Sequence, residues 1–344
     1  MSLLSDATPM RQRNSKPSSM LTNGDGSSLK ITVVVCTYNR CQSLAKSLES
    51  VAASEIPETV EWEVLVVDNN SSDQTREVVE DFCRRYPGRL RYLFEAKQGL
   101  SHARNAGVLQ ARGDIIAFTD DDLTVEPTWL WNLVGALGSG EWAGAGGRIL
   151  PAQTFAAPRW FALNGPYSMG GVLYAHFDLG DKAGELDRAP YGANMAFRKS
   201  IFDKYGNFRV DLGPSPGNEI RNDDTEFGRR LMAGGEHLRY EPSAVVYHEV
   251  PKNRIKKEYF LKWWYSYGRA QTREAGKRPA ILGVPRHYVI LPHVLLRHLP
   301  VRLLQWLLSV NSQRRFYRKC MTWVAAGWLV ETYRLARHAR KQTA

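Results

Sequence analysis

Residues 114–122 read DIIAFTDDD. A short apolar run, preceded by Gly113, ends abruptly in three consecutive carboxylates, Asp120, Asp121 and Asp122. Such a run reads as a buried strand whose carboxyl end opens on a site. Three adjacent carboxylates repel one another, and burying them unpaired is costly. A divalent cation removes the conflict, because hard oxygen ligands bind magnesium or manganese, and substrate phosphates usually complete the shell. The competing reading is a solvated acidic turn ahead of the helix around Trp129.

The segments on either side decide between the two. Lys30–Cys36, KITVVVC, is a β-branched run. Arg40–Ala53 carries Leu44, Leu48 and Val51 at helical spacing. Trp62–Asp68 and Leu90–Phe94 read as further strands, and Ser72–Tyr86 and Gly99–Ala111 as further helices, with Ser72 or Asp73 opening the former. Ile115–Thr119 is the fourth strand. Alternation of this kind implies right-handed crossovers and a mostly parallel sheet, with ligands beyond the strand carboxyl ends. Four polar clusters fall at those ends: Thr37-Tyr38-Asn39-Arg40, Asp68-Asn69-Asn70-Ser71, the Gly99–Asn105 turn, and Asp120–Asp122. Residues 138–189 are rich in Gly, Ala and Pro and read as irregular structure with short strands.

The chain has 344 residues, 43% of them hydrophobic, enough for one large or two ordinary domains with a real core. The four cysteines show no metal spacing and fit a reducing cytosol. Residues 1–29 lack an apolar segment and read as a flexible tail. The net charge of +11 is unevenly placed. Residues 251–344 hold 20 Lys and Arg against three acids, a net of +17, and residues 1–250 a net of −6. Basic regions seek phosphate, on lipid, nucleic acid or a polyanionic substrate. Two apolar stretches there, His287–Val310 and Met321–Tyr333, are not clean membrane spans, since Pro292, Arg297, Pro300 and Arg302 interrupt the first and the second is too short. Trp306, Trp323 and Trp328 beside Arg and Lys suit helices lying at a membrane surface.

VVVCTYNR (33–40), VVDNNSSD (66–73), GLSHARNAG (99–107), FTDDD (118–122), GANMAFRKSIFDKYGNF (192–208) and NDDTEFGRRLMAGG (222–235) together resemble the successive motifs of the family 2 glycosyltransferases. The resemblance spans roughly residues 30–270. It implies a GT-A fold: a Rossmann-like α/β sheet binding a nucleoside-diphosphate sugar, and an inverting transfer to an acceptor hydroxyl. It divides the chain into a catalytic domain over 30–250, with a nucleotide-binding half at 30–122 and an acceptor half at 123–250, and a basic helical extension over 251–344.

The resemblance also assigns residues. Thr37 and Tyr38 would meet the nucleotide base, where a ring can cover a base and a hydroxyl can bond its edge. Asp68 would accept a hydrogen bond from the base, although Asp-Asn-Asn-Ser is also ordinary turn chemistry. The Arg104 guanidinium suits phosphate or a base carbonyl. Asp120 would face ribose or metal, Asp121 the donor, and Asp122 would hold magnesium or manganese on the diphosphate. His248, after the strand-like AVVYHEV, would complete the metal shell. Asp224 carries over as the catalytic base. Asp223 stands where the family usually has Glu, and would support it at the start of a helix. Asn194, in GANMAF, would bond sugar hydroxyls.

The expected partners are a nucleotide-sugar donor, a saccharide or lipid-linked saccharide acceptor, and a membrane surface reached through 251–344, at the inner face of the cytoplasmic membrane. A nucleic-acid-binding protein would explain the basic region but not carboxylate clusters at strand ends, which repel a phosphate backbone. A sugar nucleotidyltransferase would want a Gly-rich basic loop after the first strand, and CTYNRCQS is not one. No dinucleotide fingerprint or P-loop is present.

Overall fold

The computed structural model describes residues 29–138, 141–276 and 293–342. The expected amino-terminal tail, apart from Leu29, and the first residues of the stretch beginning at His287 lie outside the described residues. Leu29 itself is buried in the hydrophobic core.

The chain opens with β1 (Ile31–Thr37), α1 (Cys41–Ala52), β2 (Trp62–Asp68), α2 (Thr75–Arg85), β3 (Leu90–Phe94), α3 (Leu100–Gln110) and β4 (Ile115–Asp120). Then come β5 (Leu123–Val125), α4 (Trp129–Gly135), β6 (Gly144–Pro151), α5 (Gly170–Tyr174), β7 (Gly184–Glu185), β8 (Asn194–Arg198), α6 (Ser200–Tyr205), α7 (Asp223–Ala233) and β9 (Leu238–His248). The carboxyl-terminal helices are α8 (Lys257–Gly276), α9 (Leu299–Leu307) and α10 (Ser312–Gln342), with a single π-helical turn, Val294–His298, leading into α9.

One sheet runs β3-β2-β1-β4-β8-β6-β9-β5, with β7 on β9. The β3-β2-β1-β4 part is parallel, as the alternating pattern implies. Its strands are nearly continuous apolar runs because helices cover both faces; Val33, Val34 and Val35 are fully buried. Leu44, Leu48 and Val51 of α1 turn inward, as their spacing predicts. Beyond β4 the sheet is mixed: β8 is antiparallel to β4 and to β6, β9 is parallel to β6, and β5 is antiparallel to β9.

Strand β6 is one of the strands in the stretch read as irregular structure with short strands. Its glycines are demanded by its neighbours. A Cβ on Gly144 would meet the Phe197 ring at 2.3 Å, and one on Gly147 would meet the Ala244 carbonyl at 2.2 Å. Strand propensity therefore yields to close packing.

The residues form two compact units. The first holds the sheet and comprises the described residues within 1–154, 174–210 and 223–249. The second gathers 155–173, 211–222 and the described residues within 250–344, so the carboxyl-terminal region takes two earlier segments into its own unit. Within it, α8 and α10 cross closely. A Cβ on Gly268 would sit 2.2 Å from the Val324 carbonyl, and one on Gly327 2.2 Å from that of Tyr265. Glu331 is buried and accepts from Arg269 at 2.7 Å and Arg273 at 2.6 Å, which hold its pKa down against its burial. Trp160, Phe260 and Phe316 form an edge-to-face cluster in the same unit.

Candidate active site

Parallel register brings the polar strand ends together. Thr37 lies opposite Asp68, and Cys36 opposite Asp120. On the other side of the sheet, Leu123 pairs with His248, which sets Asp122 beside the imidazole. The acid triplet therefore faces a residue more than a hundred positions away.

One ligand atom each from Asp120, Asp122 and His248 lies within 4.8 Å of the others. His248 Nδ1 is 2.8 Å from the Glu249 carbonyl, an acceptor only, so Nδ1 carries the proton. The other ring nitrogen, Nε2, stands 3.5 Å from Asp122 Oδ1. A ring nitrogen and two carboxylates converging in this way are a donor set suited to a cation.

Arg40 spans the remainder of the triplet. Its Nη1 donates to Asp121 Oδ1 at 2.8 Å and to Asp122 Oδ2 at 2.9 Å. Asp122 is thereby split, one oxygen on the guanidinium and the other toward His248. Burial pushes the Asp121 carboxyl up to about 6; Arg40 opposes the rise and Asp122 adds to it. Burial also raises Asp120, against the pull of Arg104. Sequence reasoning placed Arg40 in the first polar cluster without a role. Its charge type was the available signal; the fold supplies the proximity.

The loops that carry these residues are tied to each other. Asn39 has a left-handed backbone, φ 51°, and its side-chain oxygen accepts the Ser72 N–H at 2.7 Å. Asp73 accepts the N–H of Cys41, at the start of α1, as well as that of Thr75. It thus serves two helix starts, where only the second was expected. Asp68 is buried and accepts from the Ser71 N–H and the Tyr92 hydroxyl, so both of its oxygens have partners inside the protein. Thr37 is buried at the end of β1, whereas Tyr38 is 39% exposed and leaves its ring available.

Arg104 is not turned outward. It is 4% exposed, and its Nη1 donates to Asp223 Oδ2 at 2.5 Å while Nη2 stands 3.8 Å from Asp120 Oδ1. Burial works against its charge, but Asp223, Asp224 and Asp120 more than offset it, and its pKa rises. One guanidinium thus joins the end of β4 to the first turn of α7. Gly192 packs against that group so closely that a Cβ there would lie 2.0 Å from Nη2. The Gly192 N–H in turn donates to Asp224 Oδ2 at 2.7 Å, and Thr225 N–H donates to Oδ1 at 2.7 Å. Burial and the neighbouring Asp223 charge raise the Asp224 pKa against the pull of Arg104. A carboxylate held by two backbone donors, with its proton affinity raised, is suited to general-base work.

Asn194 corrects the sequence expectation. It is fully buried, accepts the Trp129 indole N–H at 2.8 Å, and donates to the carbonyls of Arg148 and Ala244 at 2.9 and 2.8 Å. Those carbonyls flank the irregularity where β6 and β9 shift register. Its amide is taken up by the indole and the two sheet carbonyls.

Residues 32–206 match the family described as Glycosyl transferase family 2. The succinoglycan biosynthesis protein ExoM of Rhizobium meliloti (strain 1021) is 30% identical over 249 residues, covering 71% of this chain and 75% of that protein. The glucosyl-dolichyl phosphate glucuronosyltransferase of Haloferax volcanii is 28% identical over 247 residues, covering 70% and 76%. Among solved structures, the mannosyltransferase PcManGT from Pyrobaculum calidifontis, in complex with GDP-Man and Mn2+, aligns with a TM-score of 0.61 at 17% identity, over 94% of this chain and 91% of that one. That likeness establishes the GT-A architecture.

Proposed function

The chain belongs to glycosyltransferase family 2, and from that premise we propose that it moves a sugar from a nucleoside diphosphate to an acceptor hydroxyl in one displacement that inverts the anomeric centre. The observation that carries the reading is the convergence of Asp120, Asp122 and His248 at the carboxyl ends of the sheet. These residues would hold magnesium or manganese. When bound, such a cation supplies positive charge against the departing diphosphate.

The chain's own groups divide the remaining work. The exposed Tyr38 ring stacks on the base, and Thr37 and Asp68 shape the pocket for its edge. Asp121 and Arg40 fix the orientation of Asp122. Asp224 takes the proton of the acceptor hydroxyl as its oxygen attacks the anomeric carbon. Arg104 and Asp223 hold the base-bearing helix at a set distance from the acid triplet, a positioning role in place of the contact to phosphate or a base carbonyl expected from sequence. Relatives named for succinoglycan biosynthesis and for a glucosyl-dolichyl phosphate substrate support an acceptor that is a growing glycan or a lipid-linked saccharide.

A thermal-shift screen of nucleoside diphosphates, each with and without manganese, tests this reading. One nucleotide is expected to raise the unfolding midpoint only with metal present; saturation at a hundred times Kd contributes about 2.7 kcal/mol. No shift from any nucleotide with either magnesium or manganese would contradict the donor class.

A further inference from the structure

Helix α9 and the residues on either side of it turn an unusual number of leucines and valines to water, although Leu299, Leu303 and Trp306 lean inward. A surface helix normally turns its apolar stripe to the core and its charged face to water. Here Arg302 points inward, donating to the Met321 carbonyl at 2.7 Å and lying 4.8 Å from the Trp328 ring centre. Trp306 meets Trp323, with the Lys319 ammonium over both rings. The outward face is aliphatic. Leu296, Val301, Leu304, Leu307, Leu308 and Val310 are all exposed, Leu296 at 81% and Leu308 at 70%. No residue of α9 is buried. Positions 301, 304 and 308 follow one another at helical spacing, so the stripe is continuous.

An apolar patch of this kind rimmed by charge marks an interaction surface. Its charge indicates the occupant. Arg297 precedes α9, and Arg314 and Arg315 follow it, all exposed. Residues 251–344 carry a net of +17. That charge repels a second copy of the same face. Aliphatic side chains offer nothing for bases to stack on, which disfavours nucleic acid. Leucines flanked by arginines match the boundary between acyl chains and anionic headgroups. No described helix is long and apolar enough to cross a membrane, so the contact is in the plane of the surface.

We propose that the outward face of α9, with Arg297, Arg314 and Arg315, docks the enzyme on an anionic lipid surface. Binding is read without turnover, so this inference and the transfer reaction fail separately. Vesicle co-sedimentation of the full chain tests it, with phosphatidylcholine alone and with phosphatidylcholine containing phosphatidylglycerol. The wild-type chain is expected to bind the anionic vesicles and to release them as salt rises. L304E/L308E is expected to lose binding by about tenfold or more, given the transfer energy of two leucines. L304S/L308S should lose it in the same direction. Both variants should keep the wild-type unfolding midpoint and nucleotide-induced thermal shift. Three results would overturn the proposal: equal binding by wild type and both variants, wild-type binding that ignores lipid charge, or a dimer by light scattering that L304E/L308E dissociates while the wild type ignores vesicles.

Discussion

Replacing Asp224 with asparagine is expected to cut turnover by about 10²–10⁴-fold while leaving donor affinity within a few-fold of wild type. The loss is expected on rate because Asp224 is proposed to serve the acceptor, with the Arg104–Asp223 pair between it and the acid triplet. The fold should survive the change. Asparagine leaves either the Gly192 or the Thr225 N–H without an acceptor, at about 1 kcal/mol. It also removes the repulsion between Asp223 and Asp224 that contributes to the raised pKa. The base works only when ionised, and its pKa is raised. The wild-type rate should therefore fall on acidification at a pH above the ordinary carboxylate range. The residual rate of Asp224→Asn should lack that limb. Single-turnover kinetics against pH, beside donor titrations, read both outcomes; normal turnover in the variant removes Asp224 from the role.

Arg104→Met is expected to destabilise the chain by about 3–5 kcal/mol, the usual cost of leaving a buried charge without its partner. Asp223 loses its donor at 2.5 Å, and Asp120 loses the nearest cation. For a unit of this size the unfolding midpoint should drop by roughly 10 °C. Arg104→Lys should fall between the two, because an ammonium is a point charge and cannot span both carboxylates as the guanidinium does. Adding Asp223→Asn to Arg104→Met should recover part of the loss, since the stranded charge is then gone. An unchanged midpoint in Arg104→Met would show that the pair does not tie α7 to β4.

The parallel half of the fold was legible because each strand is an apolar run that stops in a polar cluster. Val33–Val35 and Ile115–Phe118 have no other use than a sheet covered on both faces. The site's location followed from topology, since ligands gather where such strands end. The triplet at Asp120–Asp122, His248 and Asp223-Asp224 were found as motifs. How they connect was not. Arg40 lies 81 residues from Asp121, and Arg104 lies 119 from Asp223, and nothing in local sequence encodes either distance closing. The bounds of β6 were not legible among its glycines, because glycine is a poor strand residue; Gly144 and Gly147 are required by Phe197 and the Ala244 carbonyl on neighbouring strands. Asn194 read as a sugar ligand because an amide near a site looks functional. Its task is to satisfy two carbonyls where the ladder between β6 and β9 breaks. The leucines of α9 read as an apolar stretch, but which side they present depends on how Arg302 and Trp306 pack on α10.

Calorimetric titration of the nucleoside diphosphate giving the largest thermal shift, into the wild-type chain and into Asp122→Ala, tests most directly whether Asp120, Asp122 and His248 grip a diphosphate through a cation. The wild-type chain should bind with manganese present and lose most of that affinity without it, and Asp122→Ala should bind no better with manganese than without. Equal affinity of the two proteins for the nucleotide in manganese would contradict it.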